Sequence, residues 1–137
     1  MQDTRKQELK GSESRDQFKY LHKKLDKKFY ACDIDFVLVD KYPFRIVAFL
    51  DYKGRFEKVT FSEVIAYNYL LTIAPLYIIR SRDVETGPFD IWSYLGGDPQ
   101  PEPPVIKDEL VRQCESWNDL GEWEHELRLN SRRPHYA

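Results

Sequence analysis

The stretch DIDFVLVDKYPFRIVAFLDYK, residues 33–53, predicts two strands of a buried sheet. Val, Ile, Phe and Leu dominate the segments 34–40 and 45–53, as is typical of strands. Pro43 lies between the segments and marks a turn, so the whole stretch predicts a β-hairpin. Its two ends carry charged residues, and charged groups at the margin of a core are costly unless something pairs with them.

The expected register of this hairpin sets acidic side chains against each other. With the turn at its centre, paired residue numbers sum to about 86, which sets Asp35 opposite Asp51. The same register sets Asp33 opposite Lys53. Because side chains alternate faces along a strand, Asp51 and Lys53 share one face and Tyr52 lies on the other. Opposed Cβ atoms are about 5 Å apart, so two carboxylates there repel unless one is protonated or a cation binds.

A divalent cation would remove this repulsion. Mg²⁺ takes a few carboxylate oxygens plus waters, which leaves positions open for a substrate phosphate. Lys53 beside the ion would stabilise developing negative charge or orient an attacking water. These groups are the minimum needed to hydrolyse a phosphodiester. The alternative is a structural ion pair between Lys53 and Asp51 or Asp33 at the rim of the sheet, which would contribute little.

The segments after the hairpin predict a mixed sheet flanked by helices. Thr60 and Glu63 match the capping box, which predicts a helix that Pro75 stops. Segments 75–82 and 88–96 predict two further strands. The expected class is therefore α/β, bordering on α+β, with the element order α-β-β-α-β-β-α.

The chain, at 137 residues with 42% apolar content, suits one globular core with peripheral segments. We expect a disordered tail at 1–11, an α/β core at 12–97, a Pro-rich linker at 98–105 and an acidic helical segment at 106–137 packed on the core. Within the last segment, Ile106, Leu110 and Cys114 are spaced by four and predict a helix over 106–116. Trp117 and Trp123 predict a second short helix that packs back onto the domain.

Charge is distributed unevenly, although the net charge is only −2. Residues 1–58 hold 14 Lys and Arg against 10 Asp and Glu, whereas residues 83–126 hold 2 against 12. A first helix is predicted to begin near Ser12 or Ser14, because Phe18, Leu21, Leu25 and Phe29 recur at helical spacing. The candidate nucleic-acid contacts on this helix are Arg15, Lys19, Lys23 and Lys27. This basic cluster is either a solvated helix face or a surface that follows a phosphate backbone. The acidic C-terminal segment would stay off a polyanion or recruit a partner protein.

The chain shows no targeting or membrane-spanning pattern. No apolar run approaches the roughly 18 residues that a membrane helix needs, and the first residues are polar. Cys32 and Cys114 lack the spacing of metal ligands. We therefore expect a cytoplasmic protein that has reduced thiols and makes no membrane contact.

The acidic motif resembles that of a known enzyme family. Asp35 at one strand, followed by Asp51-Tyr52-Lys53 on the next, resembles the signature of the PD-(D/E)XK nuclease superfamily. The family's restriction-endonuclease-like core consists of a helix, a three-stranded meander, a helix and a strand. The resemblance covers about residues 12–82, and Ile34 stands where the family often has Pro.

The resemblance also implies roles for individual residues. Asp35 and Asp51 would hold Mg²⁺ or Mn²⁺, and the carbonyl of Tyr52 would supply another ligand. Lys53 would assist the hydrolytic water. Some exonuclease-type members carry Gln-x-x-x-Tyr on the following helix, and this chain has Glu63 and Tyr67 at that spacing. A capping carboxylate and a half-buried tyrosine are the alternative explanation of these two residues.

The sequence therefore predicts a metal-dependent nuclease that acts on DNA or RNA. A different class stays open, in which a catalytically weak or inactive nuclease fold works in protein–protein interaction through the acidic C-terminal segment. An enzyme that acts on a smaller phosphate-containing substrate is a third alternative. The sequence leaves open single or double strands, endonuclease or exonuclease action, one metal or two, and a homodimer or a monomer.

Overall fold

A computed structural model of the chain describes residues 13–17, 20, 34–41, 44–82 and 88–131. The chain forms two compact units, Met1–Cys32 and Asp33–Ala137. In the first unit, residues 13–17 and Tyr20 are helical and exposed. The predicted tail at 1–11 lies outside the described residues.

The second unit contains a five-stranded mixed sheet and belongs to the α+β class. Its elements are β1 (Phe36–Asp40), β2 (Arg45–Lys53), α1 (Phe61–Leu71), β3 (Leu76–Ser81), β4 (Phe89–Asp98), β5 (Val105–Cys114) and α2 (Trp117–Ser131). The strands lie side by side in the order β1-β2-β3-β4-β5. Strands β2 and β3 are parallel, and every other neighbouring pair is antiparallel.

The expected hairpin register is confirmed at the end that carries the acidic residues. Phe36 pairs with Leu50 and Val37 pairs with Phe49, so the numbers sum as predicted. Nearer the turn the register shifts by one residue after Leu38. Because the shift lies on the turn side of Leu38, it does not change the predicted register at the other end of the hairpin.

Helix α1 is the crossover between the parallel strands β2 and β3, which a tight turn cannot connect. Its start is the predicted capping box: the Glu63 N–H donates to Thr60 Oγ1 at 3.3 Å, and the Thr60 N–H donates to Glu63 Oε1 at 3.0 Å. The helix ends at Leu71, before Pro75. The cap fixes where α1 begins, and hence which of its side chains face the sheet.

The two helices pack on opposite faces of the sheet. Val64 and Tyr67 of α1 belong to a buried cluster that includes Phe49. Leu120 and Trp123 of α2 belong to another, which includes the next residue of β2, Leu50, along with Ile79 and Ile91 of β3 and β4. Because successive side chains point to opposite faces of a strand, every second residue of β2 counted from Phe49 lies beneath α1.

The helix predicted over 106–116 is wrong. Residues 105–114 form β5, which pairs with β4 in the same sheet. The predicted linker at 98–105 is therefore the connection between the neighbouring strands β4 and β5, so the core continues beyond 97. The spacing of four between Ile106 and Leu110 fits a helix, but backbone hydrogen bonding to β4 overrides this weak local preference. For residues 34–131 the order is β-β-α-β-β-β-α.

The predicted short helix in the C-terminal segment is confirmed as α2. Cys114, at the end of β5, is a free and buried cysteine, and Cys32 lies outside the described residues. No helix in the described part of the chain is long and apolar enough to cross a membrane.

Asn68 joins α1 to β4. Its Oδ1 accepts hydrogen bonds from Tyr94 Oη at 2.6 Å and from the Gly97 N–H at 3.2 Å. Its Nδ2 donates to the Gly97 carbonyl at 3.0 Å. A Cβ at position 97 would lie 2.9 Å from both Tyr94 Oη and the Val105 carbonyl oxygen, so only glycine fits.

We expect Gly97→Ala to destabilise the protein by about 1–3 kcal/mol, because the added methyl meets backbone that cannot move aside. Gly121→Ala is the matched control, since nothing lies within 4 Å of its added Cβ. In helix α2 that change should stabilise by up to ~1 kcal/mol. Urea unfolding followed by circular dichroism measures both, and equal stability of the two variants would contradict the described packing of α1 on β4.

Candidate active site

Two charged side chains are buried at the carboxyl end of β2. Asp51 is 4% exposed and Lys53 is 5% exposed. They follow Phe49 by two and four residues along the strand, so both lie on the same face as Phe49, which α1 covers. Charged groups are almost never so buried without partners, because removal from water disfavours the charged form.

Helix α1 supplies those partners from two positions one turn apart. The Tyr67 hydroxyl donates to Asp51 Oδ2, and it also lies 3.2 Å from Glu63 Oε2, to which it can donate. Lys53 Nζ donates to the same Glu63 oxygen in a buried ion pair. Residues four apart lie on one helix face, which brings Glu63 and Tyr67 to the sheet together. The structure thus joins four of the predicted site residues in one network.

Glu63 fulfils both interpretations that its sequence position allows. One carboxylate oxygen, Oε1, accepts from the Thr60 N–H in the capping box. The other, Oε2, contacts Lys53 and Tyr67. The residue that begins helix α1 therefore also fixes the helix against the charged end of β2.

Asp35 lies beside this network, just before β1. Its Oδ2 accepts a hydrogen bond from the Tyr52 N–H at 2.7 Å. The Tyr52 side chain is 43% exposed, as expected for the opposite parity from Asp51. Asp35 is also close enough to Asp51 to affect its pKa through a hydrogen bond and through charge. The two carboxylates lie close together, as the predicted register implies, although the paired residues of the strands begin only at Phe36. The Tyr52 carbonyl as a ligand stays a prediction.

Glu57 is a member of the site that sequence reasoning missed. Its Oε2 lies 3.2 Å from Lys53 Nζ, and its Oε1 accepts from the Gly54 N–H at 3.4 Å. The available signal was the position of Glu57 four residues after Lys53, directly beyond the strand end. Glu57 and Glu63 thus hold the ammonium group from two sides.

The pKa values follow from burial and from these contacts. Burial, together with the neighbouring Asp35, raises the pKa of Asp51 to about 7 against the lowering effects of Tyr67 and Lys53. Burial also favours a raised pKa for Glu63, but hydrogen bonds from Lys53 and Thr60 prevail and hold it below its usual value. Burial opposes the charge on Lys53, yet Glu63 and Glu57 keep its pKa above the usual value.

Negative charge exceeds positive charge in this cluster. The cluster holds four carboxylates, those of Asp35, Asp51, Glu57 and Glu63, and one ammonium group, that of Lys53, so three negative charges are uncompensated when all are ionised. Glu57 and Glu63 pair with the ammonium, whereas Asp35 and Asp51 form no ion pair within the described residues. A divalent ion would suit these two carboxylates.

No three His, Cys, Asp or Glu side chains within the described ranges are grouped to hold a metal ion. A cation at Asp35 and Asp51 would therefore take its remaining ligands from water, backbone or substrate oxygens. That ligand set is typical of Mg²⁺, which dehydrates reluctantly and is often bound by one or two carboxylates plus phosphate.

The remaining candidate residues are not among the contacts described for this network. Arg15 is helical and exposed in the first unit, and Lys19, Lys23 and Lys27 lie outside the described residues. In the C-terminal segment, Trp123 is buried and its ring lies edge-on to Tyr77, with centroids 4.9 Å apart. Trp117 stays more than half exposed, although its ring contacts Phe89.

The raised pKa of Asp51 predicts how stability depends on pH in metal-free protein. Because the native carboxyl binds its proton more tightly than the unfolded one, stability should fall as pH rises from about 4 to about 7 and then level off. Asp51→Asn should abolish much of this loss. Urea unfolding in EDTA at pH 5.5 and pH 8 measures it.

The pKa of Glu63 is lowered, so its own contribution is essentially complete before pH 5.5 and does not mask the effect. Asp108→Asn, at an exposed position of β5, is the matched control and should keep the wild-type pH dependence. An Asp51→Asn variant that loses as much stability as wild type over this pH range would contradict the assignment to Asp51.

The chain was also compared with known proteins. A scan against protein-family models, a search of curated proteins and a search of solved structures each found no match. The grounds for a function are therefore the geometry and charge of the cluster at the end of β2.

Proposed function

We propose that the chain is a metal-dependent phosphodiester hydrolase, a nuclease of the PD-(D/E)XK type with a restriction-endonuclease-like core. The observation that carries this proposal is the meeting of Asp51, Lys53, Glu63 and Tyr67 in one buried network, with Asp35 beside it. The antiparallel β1–β2 pair, helix α1 and the adjacent strand β3 support the proposal in part, because the family's meander has three strands and the described residues before α1 form two.

Asp35 and Asp51 are the residues that would hold Mg²⁺ or Mn²⁺. Such an ion, when bound, polarises a phosphoryl oxygen and lowers the pKa of a bound water. Because Asp51 has a pKa of about 7, its carboxyl group is partly protonated at neutral pH when no ion is bound. Because the proton and the cation compete for the same carboxylate, cation affinity should rise with pH through neutrality.

Lys53 acts in this proposal as a fixed positive charge. Its raised pKa keeps the ammonium protonated at neutral pH, so it does not serve as a general base. Glu57 and Glu63 hold it from two sides, which fixes its position before substrate arrives. A preorganised cation stabilises the negative charge that develops on the phosphoryl oxygens as water attacks.

Tyr67 is a positioning residue. Burial, Asp51 and Glu63 all raise its pKa, so the hydroxyl stays neutral and donates. Its hydrogen bond to Asp51 Oδ2 orients that carboxylate, and its contact with Glu63 ties the orientation to helix α1. Its hydroxyl therefore orients the carboxylate that would bind the metal and takes no part in bond making or breaking.

A polyanionic substrate, DNA or RNA, fits a site that combines the Lys53 ammonium group, a metal ion and a water molecule. The basic cluster of Arg15, Lys19, Lys23 and Lys27 stays a prediction for contacts to the phosphate backbone. The alternative module that acts through the acidic C-terminal segment would have to use Trp117, because Trp123 is buried in the core.

The test is Mg²⁺- or Mn²⁺-dependent cleavage of end-labelled single-stranded and duplex DNA and RNA by wild type and by Asp51→Asn. We expect the variant to lose at least ~100-fold in cleavage rate, because one essential electrostatic group is removed. Titration calorimetry should show metal binding by wild type and none by the variant. Circular dichroism spectra should be alike.

Asp108→Asn, which removes an exposed carboxylate from β5, is the control and should cleave and bind metal as wild type does. Absence of metal binding by wild type, with and without oligonucleotide, would overturn the proposal. Cleavage that survives Asp51→Asn would do so as well, and would point to a contaminating nuclease.

A further inference from the structure

A groove opens next to the candidate active site, with a volume of about 330 Å³. Its lining comes from residues 55–59 of the loop that follows β2 and Arg80 of β3, which form one wall, and from Pro103, Pro104 and Ile106, which form the other. Glu57 lies in the first wall and also pairs with Lys53. The groove and the buried charged network are therefore directly connected.

The loop wall is held in place by backbone hydrogen bonds. The Glu57 N–H donates to the Gly54 carbonyl at 3.1 Å. Arg80 Nη1 donates to the carbonyl oxygens of Gly54 at 3.1 Å and of Glu57 at 2.5 Å. Arg80 comes from a core strand, so it ties the loop to the sheet. The side chains that the loop presents thus occupy defined positions.

The most prominent of these side chains is aromatic. Phe56 is 83% exposed, although the loop that carries it is well anchored. The Arg55 guanidinium lies over the Phe56 ring at 5.0 Å from its centroid. An exposed ring costs free energy unless a ligand covers it, and here the ring lies beside a phosphodiesterase-like charge cluster.

The same wall carries positive charge that the described residues do not neutralise. Neither Arg55 nor Lys58 has a carboxylate within ion-pair distance in the part of the chain that the structure describes. The carboxylate of Glu57, which lies between them in sequence, is turned to Lys53 and Gly54. One loop therefore offers the groove Lys58, Arg55 and the exposed Phe56 ring, which Arg55 covers on one face only, and neither cation has a carboxylate partner among the described residues.

We propose that this groove binds the nucleotide next to the scissile phosphate of a single-stranded nucleic acid, with the base stacked on Phe56 and the phosphate held by Arg55 and Lys58. This inference rests on the proposed function, because it takes the phosphate at the carboxylate pair as its starting point. An unpaired base exposes the face that stacking needs, whereas a duplex hides it. A volume near 330 Å³ accommodates a small organic group and not a duplex.

The test is fluorescence anisotropy with labelled 12-nucleotide oligo-dT and oligo-U in EDTA, so that binding is separated from cleavage. Phe56→Ala should weaken binding about 5- to 100-fold, as for loss of one base–aromatic stack. Arg55→Ala with Lys58→Ala should lower the slope of log K against log salt by about 0.7, as for one fewer neutralised phosphate on a single strand.

Phe44→Ala is the matched control. Phe44 is 85% exposed and directly precedes β2, whose other end carries the active site, so its removal should leave binding unchanged. A Phe56→Ala variant that binds as wild type does would overturn the proposal. Duplex bound more tightly than single strand, or polyglutamate displacing the oligonucleotide as well as unlabelled oligonucleotide does, would overturn it too.

Cleavage of the same oligonucleotides with Mn²⁺ separates this proposal from the proposed function. Wild-type cleavage with a KM unchanged in Phe56→Ala overturns the groove and leaves the nuclease standing. Absence of wild-type cleavage, or cleavage retained in Asp51→Asn, overturns the nuclease. Cleavage by wild type with a raised KM and a nearly constant kcat in Phe56→Ala supports both.

Discussion

The buried pair between Lys53 and Glu63 is the interaction on which the site depends. It joins the carboxyl end of β2 to the first turn of α1, and both partners are nearly inaccessible to water. Removing one partner of a buried pair leaves an uncompensated charge, which costs far more than an exposed pair contributes. This contact therefore holds the strand end and the start of the helix together.

Around that contact, helix capping, packing and chemistry share the same atoms. Glu63 accepts from the Thr60 N–H with one oxygen and from Lys53 with the other. Tyr67, one turn later, fills the core between α1 and the sheet while its hydroxyl reaches Asp51. Stability and candidate function are thus coupled here, because the groups that hold α1 on the sheet also set the charge at Asp51.

The sequence predicts this part of the molecule well because its determinants are local. A capping box and a hairpin register are each set within a few tens of residues, so Thr60, Glu63 and the opposition of Asp35 to Asp51 follow from spacing alone. Strand β5 could not be found in this way. Leu110 and Cys114 match a helical spacing, and only pairing with β4 makes a strand of them. The β-branched Val105, Ile106 and Val111 were the local sign of a strand. Glu57 and Arg80 were missed because their roles come from contacts in the folded chain.

Arg80 holds the backbone of the loop at 54–59 through hydrogen bonds that do not involve the side chains that the loop presents. The guanidinium binds main-chain carbonyls, which residues of any type provide, so the path of the loop does not depend on which side chains the loop carries. Substitutions at positions 55, 56 and 58 would therefore change the side chains that line the groove while these backbone contacts are kept. The sheet and the charged network beneath the loop would not have to change with them.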